Sequence, residues 1–273
     1  MTKSVNETGM KRAMLINDLS CLGKCSLSVG LPIVSACGVE AVALPTAVLS
    51  THTGGFEGYV VRDMTEDMRV FAAHWKAMGV RFDCIYTGFF ASAEQIDVAR
   101  QVIRDFADSR TLVMVDPVLG DNGRLYPCFD QEYVARMRSL CAMAHVITPN
   151  YTEAALLAGK PVTTPPEELL DALDVPNVII TGVHEGEWIG YRARLGVRKV
   201  TVDKLYMPMT LHGTGDVFAS ALCGEMMRGR PLFRALQEAA DFCDACIRKT
   251  AERQPGHWYG LAFEDVLKER MKA

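Results

Sequence analysis

Three short stretches of this chain hold residues whose types and spacing could do chemistry. The first is His212-Gly213-Thr214-Gly215-Asp216, which runs into Val217-Phe218-Ala219-Ser220. Two glycines around Thr214 allow a tight turn into a helix. The N–H groups at such a start precede the hydrogen-bond ladder and can hold an anion. A carboxylate there would compete with a phosphate for the positive end. Asp216 is better used as a base that takes a proton from a hydroxyl while a phosphoryl group is transferred to it. Taken alone, the stretch fits a helix cap after a glycine turn equally well.

The second stretch is Asp116-Pro117-Val118-Leu119-Gly120-Asp121-Asn122-Gly123, which follows an apolar run. Asp116 and Asp121 could order Mg²⁺, directly or through water, as hard oxygen ligands do. A turn-capping Asp before Pro is the plainer reading of this stretch by itself. The third is Thr148-Pro149-Asn150-Tyr151-Thr152-Glu153. Asn150 and Glu153 lie one helical turn apart and face the same way. Alone, they match a capping box. Together and in this order, the three stretches describe one machine. The acids place a metal on nucleotide phosphates, and the glycine turn neutralises charge that develops during transfer. No Gly-x-x-x-x-Gly-Lys is present, which excludes a P-loop enzyme. Gly23-Lys24 offers a single glycine after the first strand, which argues against a dinucleotide-binding Rossmann fold.

The elements that must position these residues alternate between β and α. Strands are expected at Ala13–Asn17, Ala41–Pro45, Ala47–Ser50, Asp83–Thr87, Leu112–Val115, His145–Thr148 and Asn177–Thr181, and a hairpin at Trp188–Ala193 with Val197–Val202. Helices are expected at Cys25–Ala36, Thr65–Met78 with Thr65 as N-cap, Ser92–Ala107 with Ser92 as cap, and Gln131–Met143. Further helices follow at Tyr151–Ala158, Pro165–Leu173, Asp216–Met227, Leu232–Thr250 and Ala262–Met271. Repeated β-α alternation predicts an α/β fold, a mostly parallel central sheet flanked by helices on both faces. Ligands of such sheets bind beyond the carboxyl ends of the strands, where the three stretches fall. No linker-like tract divides the chain, so residues 1–273 read as one domain with a polar extension at 1–11.

Composition agrees. The chain is 49% hydrophobic and 23% charged, as in ordinary globular proteins. Its 29 Lys and Arg against 33 Asp and Glu give a net charge of −4 and no clustered basic face, so no nucleic-acid partner is expected. The N-terminal stretch has no apolar signal region and no apolar run is long enough for a membrane span. Nine cysteines without an export signal read as reduced thiols of a cytoplasmic protein.

At this point the chain resembles the ribokinase-like superfamily, and within it the vitamin B6 (pyridoxal, pyridoxine, pyridoxamine) kinases, from about Met14 to Thr250. Gly-Thr-Gly-Asp and Asp-Pro-Val mark the superfamily. Ser50-Thr51-His52-Thr53, Gly120-Asp121, Tyr126 and Thr-Pro-Asn-x-x-Glu mark the subfamily. The resemblance implies a three-layer ribokinase-like fold and transfer of a phosphoryl group from ATP to the 5′-hydroxymethyl group of a B6 vitamer. Asp216 would be the catalytic base, and Gly213, Thr214 and Gly215 the anion hole. Asp116, Asp121, Asn150, Glu153 and Thr181 would hold the nucleotide, with Asp116 and Glu153 organising Mg²⁺. Asp18, Cys25, His52, Thr53 and Phe89 would line the substrate pocket. It also implies a homodimer and leaves open a monovalent cation such as K⁺. Hydroxymethylpyrimidine or another small alcohol is the alternative acceptor. Its kinases carry a Gly-Ser-Asp run after the first strand, where this chain has Asn17-Asp18-Leu19-Ser20. Asp18 replaces a usual Ser and Phe89 a usual Tyr, which bears on which vitamer is preferred. A non-catalytic binding protein of the same fold would leave Asp216 without a task.

Other features carry less. Cys243-Asp-Ala-Cys246 falls inside a helix and reads as packing. His74, His145, His184 and His257 show no metal spacing. Met207-Pro208-Met209 suits either a nucleotide-base wall or packing. Gly120–Phe129 reads as a flap that keeps water from the transfer.

Overall fold

The computed structural model describes residue 6 and residues 9–253 and 258–270. His257, most of the N-terminal extension and Met271, the last residue expected in the terminal helix, lie outside them. Along the chain the elements are β1 (Arg12–Leu22), α1 (Leu27–Ala36), β2 (Glu40–Thr51), β3 (Val61–Asp63), α2 (Thr65–Ala77), β4 (Cys84–Thr87) and α3 (Ala93–Phe106). Next come β5 (Leu112–Val115), β6 (Gly120–Asp121), β7 (Arg124–Leu125), α4 (Gln131–Cys141), β8 (Val146–Ile147), α5 (Tyr151–Ala158) and α6 (Pro166–Ala172). The chain continues through β9 (Asn177–Glu185), β10 (Trp188–Leu195), β11 (Arg198–Leu205), α7 (Thr214–Met227), α8 (Leu232–Glu252) and α9 (Phe263–Arg270).

Nine strands form one sheet in the order β11-β10-β9-β8-β5-β4-β1-β2-β3. The pairs from β2 through β1, β4, β5 and β8 to β9 are parallel, and the edges β2–β3 and β9–β10–β11 are antiparallel. Side chains of β1 alternate between two cores. Met14 and Ile16 join one built with α2 to α6, and Ala13 and Leu15 join the other built with α1, α7, α8 and α9. Both faces of the sheet are thus covered, which is why its central strands read as nearly unbroken apolar runs. This is the expected three-layer α/β fold.

The differences from expectation are local. The two extended segments at 41–50 are one strand, with Pro45 accommodated opposite Asn17 where the β1–β2 register shifts. The short edge strand β3 was not anticipated; its three residues are all exposed, so no alternation marks it. Met64, not Thr65, is the N-cap position of α2, and the Thr65 N–H is satisfied from outside the helix by the Asp63 carboxylate at 2.8 Å. Ser92 caps α3 as expected, accepting from the Gln95 N–H.

Chain order gives the ligand position. From β1 the chain moves to β2 on one side, then crosses to β4 and β5 on the other. The crevice beyond the carboxyl ends of β1 and β4 is therefore a topological switch point, where open α/β sheets bind ligands.

Candidate active site

The strongest concentration of functional side chains is at that switch point. Asn17 and Asp18, in the carboxyl half of β1, are both buried. The Asn17 side-chain oxygen accepts from the Phe89 N–H at 2.8 Å and the Asp18 N–H at 3.0 Å, tying β1 to the loop after β4. The Asn17 side chain also lies near enough to Asp216 to favour its charged form. Asp18 accepts from the Ser20 hydroxyl at 3.1 Å.

Ser26 stands at the N-cap position of α1 with φ 56° and ψ −130°, in the half of backbone space usually left to glycine. Such a residue costs on the order of 1–3 kcal/mol and persists only where its surroundings fix it. Its hydroxyl makes no cap bond within α1, and its polar groups favour the charged forms of both Asp18 and Asp216. One strained residue thus lies against both carboxylates.

Asp216 lies in the first turn of α7 and is half-buried. The first ladder bond of that helix runs from the Val217 N–H to the Gly213 carbonyl at 3.0 Å, so the N–H groups of Thr214, Gly215 and Asp216 precede the ladder. Gly213 has φ +79°, and a Cβ there would sit 2.2 Å from the Lys24 carbonyl oxygen. Glycine is required on both counts. At Gly215 a Cβ would meet nothing within 4 Å, which leaves the approach to these amides open. Burial is the main cause that raises the Asp216 carboxyl to about 7, with the Asp18 charge adding to it and the Ser26 and Asn17 hydrogen bonds opposing it. A base poised near neutral pH is what proton abstraction from an alcohol needs. Burial raises Asp18 as well.

Cys25 lies beside this group; a Cβ on Gly213 would reach within 3.5 Å of its Sγ. Burial, then the charges of Asp216 and Asp18, push its thiol far up, so it stays protonated and is no nucleophile here. Phe89 is half-buried at the crevice, its ring centroid 5.9 Å from Phe129. Thr53 is exposed on the loop after β2. His52 is buried, and both ring nitrogens are committed to backbone. Nδ1 accepts from the Gly54 N–H at 3.1 Å and Nε2 donates to the Tyr259 carbonyl at 3.0 Å. It holds the loop and has no nitrogen left for a ligand.

The second group lies beyond β5, β8 and β9. Asp116 is buried and accepts from the Thr148 hydroxyl at 3.1 Å. Burial raises it to about 7, with the charge of Asp216 as the second cause, so the two groups face one space. Asn150 and Glu153 form a capping box for α5: the Asn150 side chain accepts from the Glu153 N–H, and the Glu153 carboxylate from the Asn150 N–H at 2.7 Å. Glu153 also accepts from Leu119 at 3.0 Å, while the Asn150 side chain donates to the Gly120 carbonyl at 2.8 Å. Burial and then Asp116 raise Glu153 against those N–H bonds. Both residues therefore root the flap. The flap is a two-residue hairpin, β6–β7, turning on Asn122 (φ 52°) and Gly123 (φ 76°). These are the signs of a type I′ turn, for which Asn-Gly is the preferred pair. Asp121 is exposed on it and accepts from the Asn122 N–H at 2.7 Å. Thr181 bridges to Asn150, its N–H bonded to the Pro149 carbonyl at 2.9 Å.

Among the described residues, no three His, Cys, Asp or Glu side chains are grouped to hold a metal by themselves. That donor set fits Mg²⁺, which binds through one or two carboxylates and takes its other ligands from phosphates and water. Asp116 could serve as such a carboxylate, a desolvated group with one hydroxyl donor. Glu153 could add a contact through water with lone pairs its two N–H bonds leave over.

The remaining candidates are structural. His145 Nδ1 accepts from the Val113 N–H, His184 packs edge-on against Tyr206, and His74 is exposed. Cys243 and Cys246 are buried in α8, with the Cys243 Sγ 3.7 Å from the Thr214 carbonyl. Sequence reasoning did not single out Asn17 or Ser26. A polar residue ending an apolar strand was the available signal for Asn17. Nothing in the sequence marks Ser26.

The chain is similar to known proteins over most of its length. A family model described as phosphomethylpyrimidine kinase matches residues 30–261. A Bacteroides thetaiotaomicron structure assigned as a phosphomethylpyrimidine kinase, solved with pyridoxal, is 40% identical with a TM-score of 0.89 and 95% of both chains covered. The pyridoxal kinase structure of Lactobacillus plantarum is 34% identical, TM-score 0.89, covering 95% of this chain and 96% of that one. The pyridoxine/pyridoxal/pyridoxamine kinase of Bordetella pertussis is 28% identical over 255 residues, 84% of this chain and 86% of its own length.

Proposed function

The chain belongs to the phosphomethylpyrimidine kinase family and is an ATP-dependent kinase of the ribokinase-like fold; on that premise we propose that it phosphorylates the 5′-hydroxymethyl group of a vitamin B6 vitamer. The observation that carries this reading is Asp216, poised near neutral pH beside open helix-start amides, in a chain 40% identical to a relative solved with pyridoxal. The acceptor ring lies between Phe89 and the Asp18–Cys25 wall. Asp216 takes the hydroxyl proton as the oxygen attacks the γ-phosphorus of ATP. The N–H groups of Thr214 and Gly215, with the turn at Gly213, receive the charge on the transferring group. Asp116, with Glu153 through water, would hold Mg²⁺, which neutralises phosphate oxygens when bound. Asn150, Asp121 and Thr181 border the nucleotide, and the β6–β7 flap keeps water out.

Asp18 bears on the vitamer. A buried acid at the ring edge favours a protonated pyridine nitrogen, and Phe89 can stack on a ring without offering a hydroxyl. The reading includes a cytoplasmic homodimer with no nucleic-acid or membrane partner. Among the described residues no helix is long and apolar enough to cross a membrane.

The second reading, hydroxymethylpyrimidine as acceptor, is favoured by the description of the matching family model. ATP consumption with Mg²⁺ against pyridoxal, pyridoxine, pyridoxamine and hydroxymethylpyrimidine in parallel separates them. We expect turnover of at least one B6 vitamer. Turnover of the pyrimidine alone would replace the acceptor and leave the role of Asp216 standing.

A further inference from the structure

The segment from Trp258 to Glu264 lies far along the chain from the catalytic stretches, yet it meets the site at its tightest point. The Tyr259 carbonyl accepts twice, from the Lys24 N–H at 3.3 Å and from His52 Nε2 at 3.0 Å. Gly260 forms a parallel bridge with Lys24. Its φ is +148°, and a Cβ on it would lie 2.3 Å from the Lys24 Cβ and 3.1 Å from the Lys24 Cα and carbonyl oxygen. The Lys24 ammonium pairs with Glu264 at 2.5 Å and sits 5.2 Å from the centroid of the Phe263 ring. Lys24 is in turn what the anion hole rests on, because its carbonyl occupies the space a side chain at residue 213 would need. Two residues on, Ser26 lies against Asp216 and Asp18 and favours the charged form of each.

We propose that the Trp258–Glu264 segment is a strap that positions the catalytic base: Tyr259, Gly260 and Glu264 fix Lys24, and Lys24 fixes both the strained turn at Ser26 and the Gly213 turn. The inference rests on the reading of Asp216 as the base. Strain at Ser26 needs an outside constraint, and the described contacts of the 23–26 stretch supply it from this segment. The described partners of the strap near the crevice, Lys24, His52 and Phe56, lie on the acceptor side, so its loss should be felt in turnover and not in nucleotide affinity.

The test uses the full chain with Gly260→Val, Glu264→Gln, Lys24→Met and Lys24→Arg. Gly260→Val displaces Lys24 and should lower kcat about 10²-fold, the scale of a 1 Å misplacement, with KM for Mg-ATP changed less than about threefold. Glu264→Gln and Lys24→Met keep the backbone bonds and should each lower kcat by only about 2- to 5-fold, in line with one partly exposed ion pair. The double variant should add no further loss, and Lys24→Arg should restore most of it. Amide hydrogen exchange, which needs no acceptor, should quicken in peptides around 21–30 and 211–220 and stay unchanged around 112–125. Unchanged kcat in Gly260→Val overturns the proposal. So does exchange that rises throughout the chain, or a KM for Mg-ATP that rises with the fall in kcat, since either marks general loosening. If no B6 vitamer is turned over by the unaltered protein, the acceptor reading fails, and the exchange pattern still decides the strap.

Discussion

Asp216 and Asp116 share one crevice and one cause of perturbation, and burial brings each to about 7. They are held by different kinds of structure. Around Asp116 the units are local motifs, the capping box from Asn150 to Glu153 and the two-residue hairpin on Asn122-Gly123, joined to one another by bonds from Thr148 to Asp116, Leu119 to Glu153 and Asn150 to Gly120. Around Asp216 the neighbours themselves come from afar: Asn17 and Ser26 lie against it, and Lys24 backs its turn. The nucleotide side is a set of standard local motifs placed side by side. The acceptor side exists only when distant segments meet, and it stores strain at Ser26. Strain of this kind collects where function needs a geometry that no local motif provides.

Breaking the acceptor side should cost most. Asp216→Asn removes the base and keeps the shape, so kcat should fall about 10²- to 10⁴-fold. The melting temperature at pH 8 should not fall, because a buried carboxylate is removed. Binding of vitamer and Mg-ATP, followed by titration calorimetry, should persist. Lost binding with a lowered melting temperature would show that Asp216 is a structural cap instead.

Glu153→Gln probes the other side. One carboxylate accepts two backbone N–H groups there, one on each oxygen, and an amide has one acceptor oxygen. Leaving buried donors unpaired should cost about 1–3 kcal/mol in urea unfolding. Nucleotide KM should rise more than the KM of the acceptor, the reverse of the split expected for the strap. Equal rises would erase the distinction between the two sides.

The smallest expected effect sharpens what they share. Asp116 and Asp216 hold protons more tightly in the folded chain than in the unfolded one, where carboxyls titrate near their ordinary value of 3.8. Their contribution to stability is complete below that value and is lost as pH rises through about 7. Metal-free protein should therefore be more stable at pH 6 than at pH 8, by about 1–2 kcal/mol for this pair. Saturating Mg²⁺ should reduce the difference by favouring the ionised Asp116. Thermal melts at both pH values, with and without Mg²⁺, check the sign, and a protein more stable at pH 8 without metal would contradict it.

The same division governs how much could be read in advance. Apolar runs broken by Gly and Asp mark the strands and helices, and the β-α alternation specifies the parallel sheet and its functional edge. The capping box at Asn150 and Glu153 was legible because its partners are three residues apart. Asn122-Gly123 carried an equally clear hairpin signal that passed as general looseness of a flap. Thr65 was misplaced as a cap because the Asp63 carboxylate, two residues earlier, satisfies the helix start instead. His52 fell in the substrate loop by resemblance, but tertiary contacts take up both of its nitrogens.

By itself, the sequence determined the layers of the fold and the sheet edge on which the proposed site residues gather, because these follow from periodicity and from bonds between near neighbours. Only the tertiary structure decided that Ser26 would be strained, that Lys24 would close the space above Gly213, and that a strap from the end of the chain would hold them. Those features depend on which distant backbones touch. A chain encodes such contacts collectively, through the packing of its two cores, and not in any one stretch of residues.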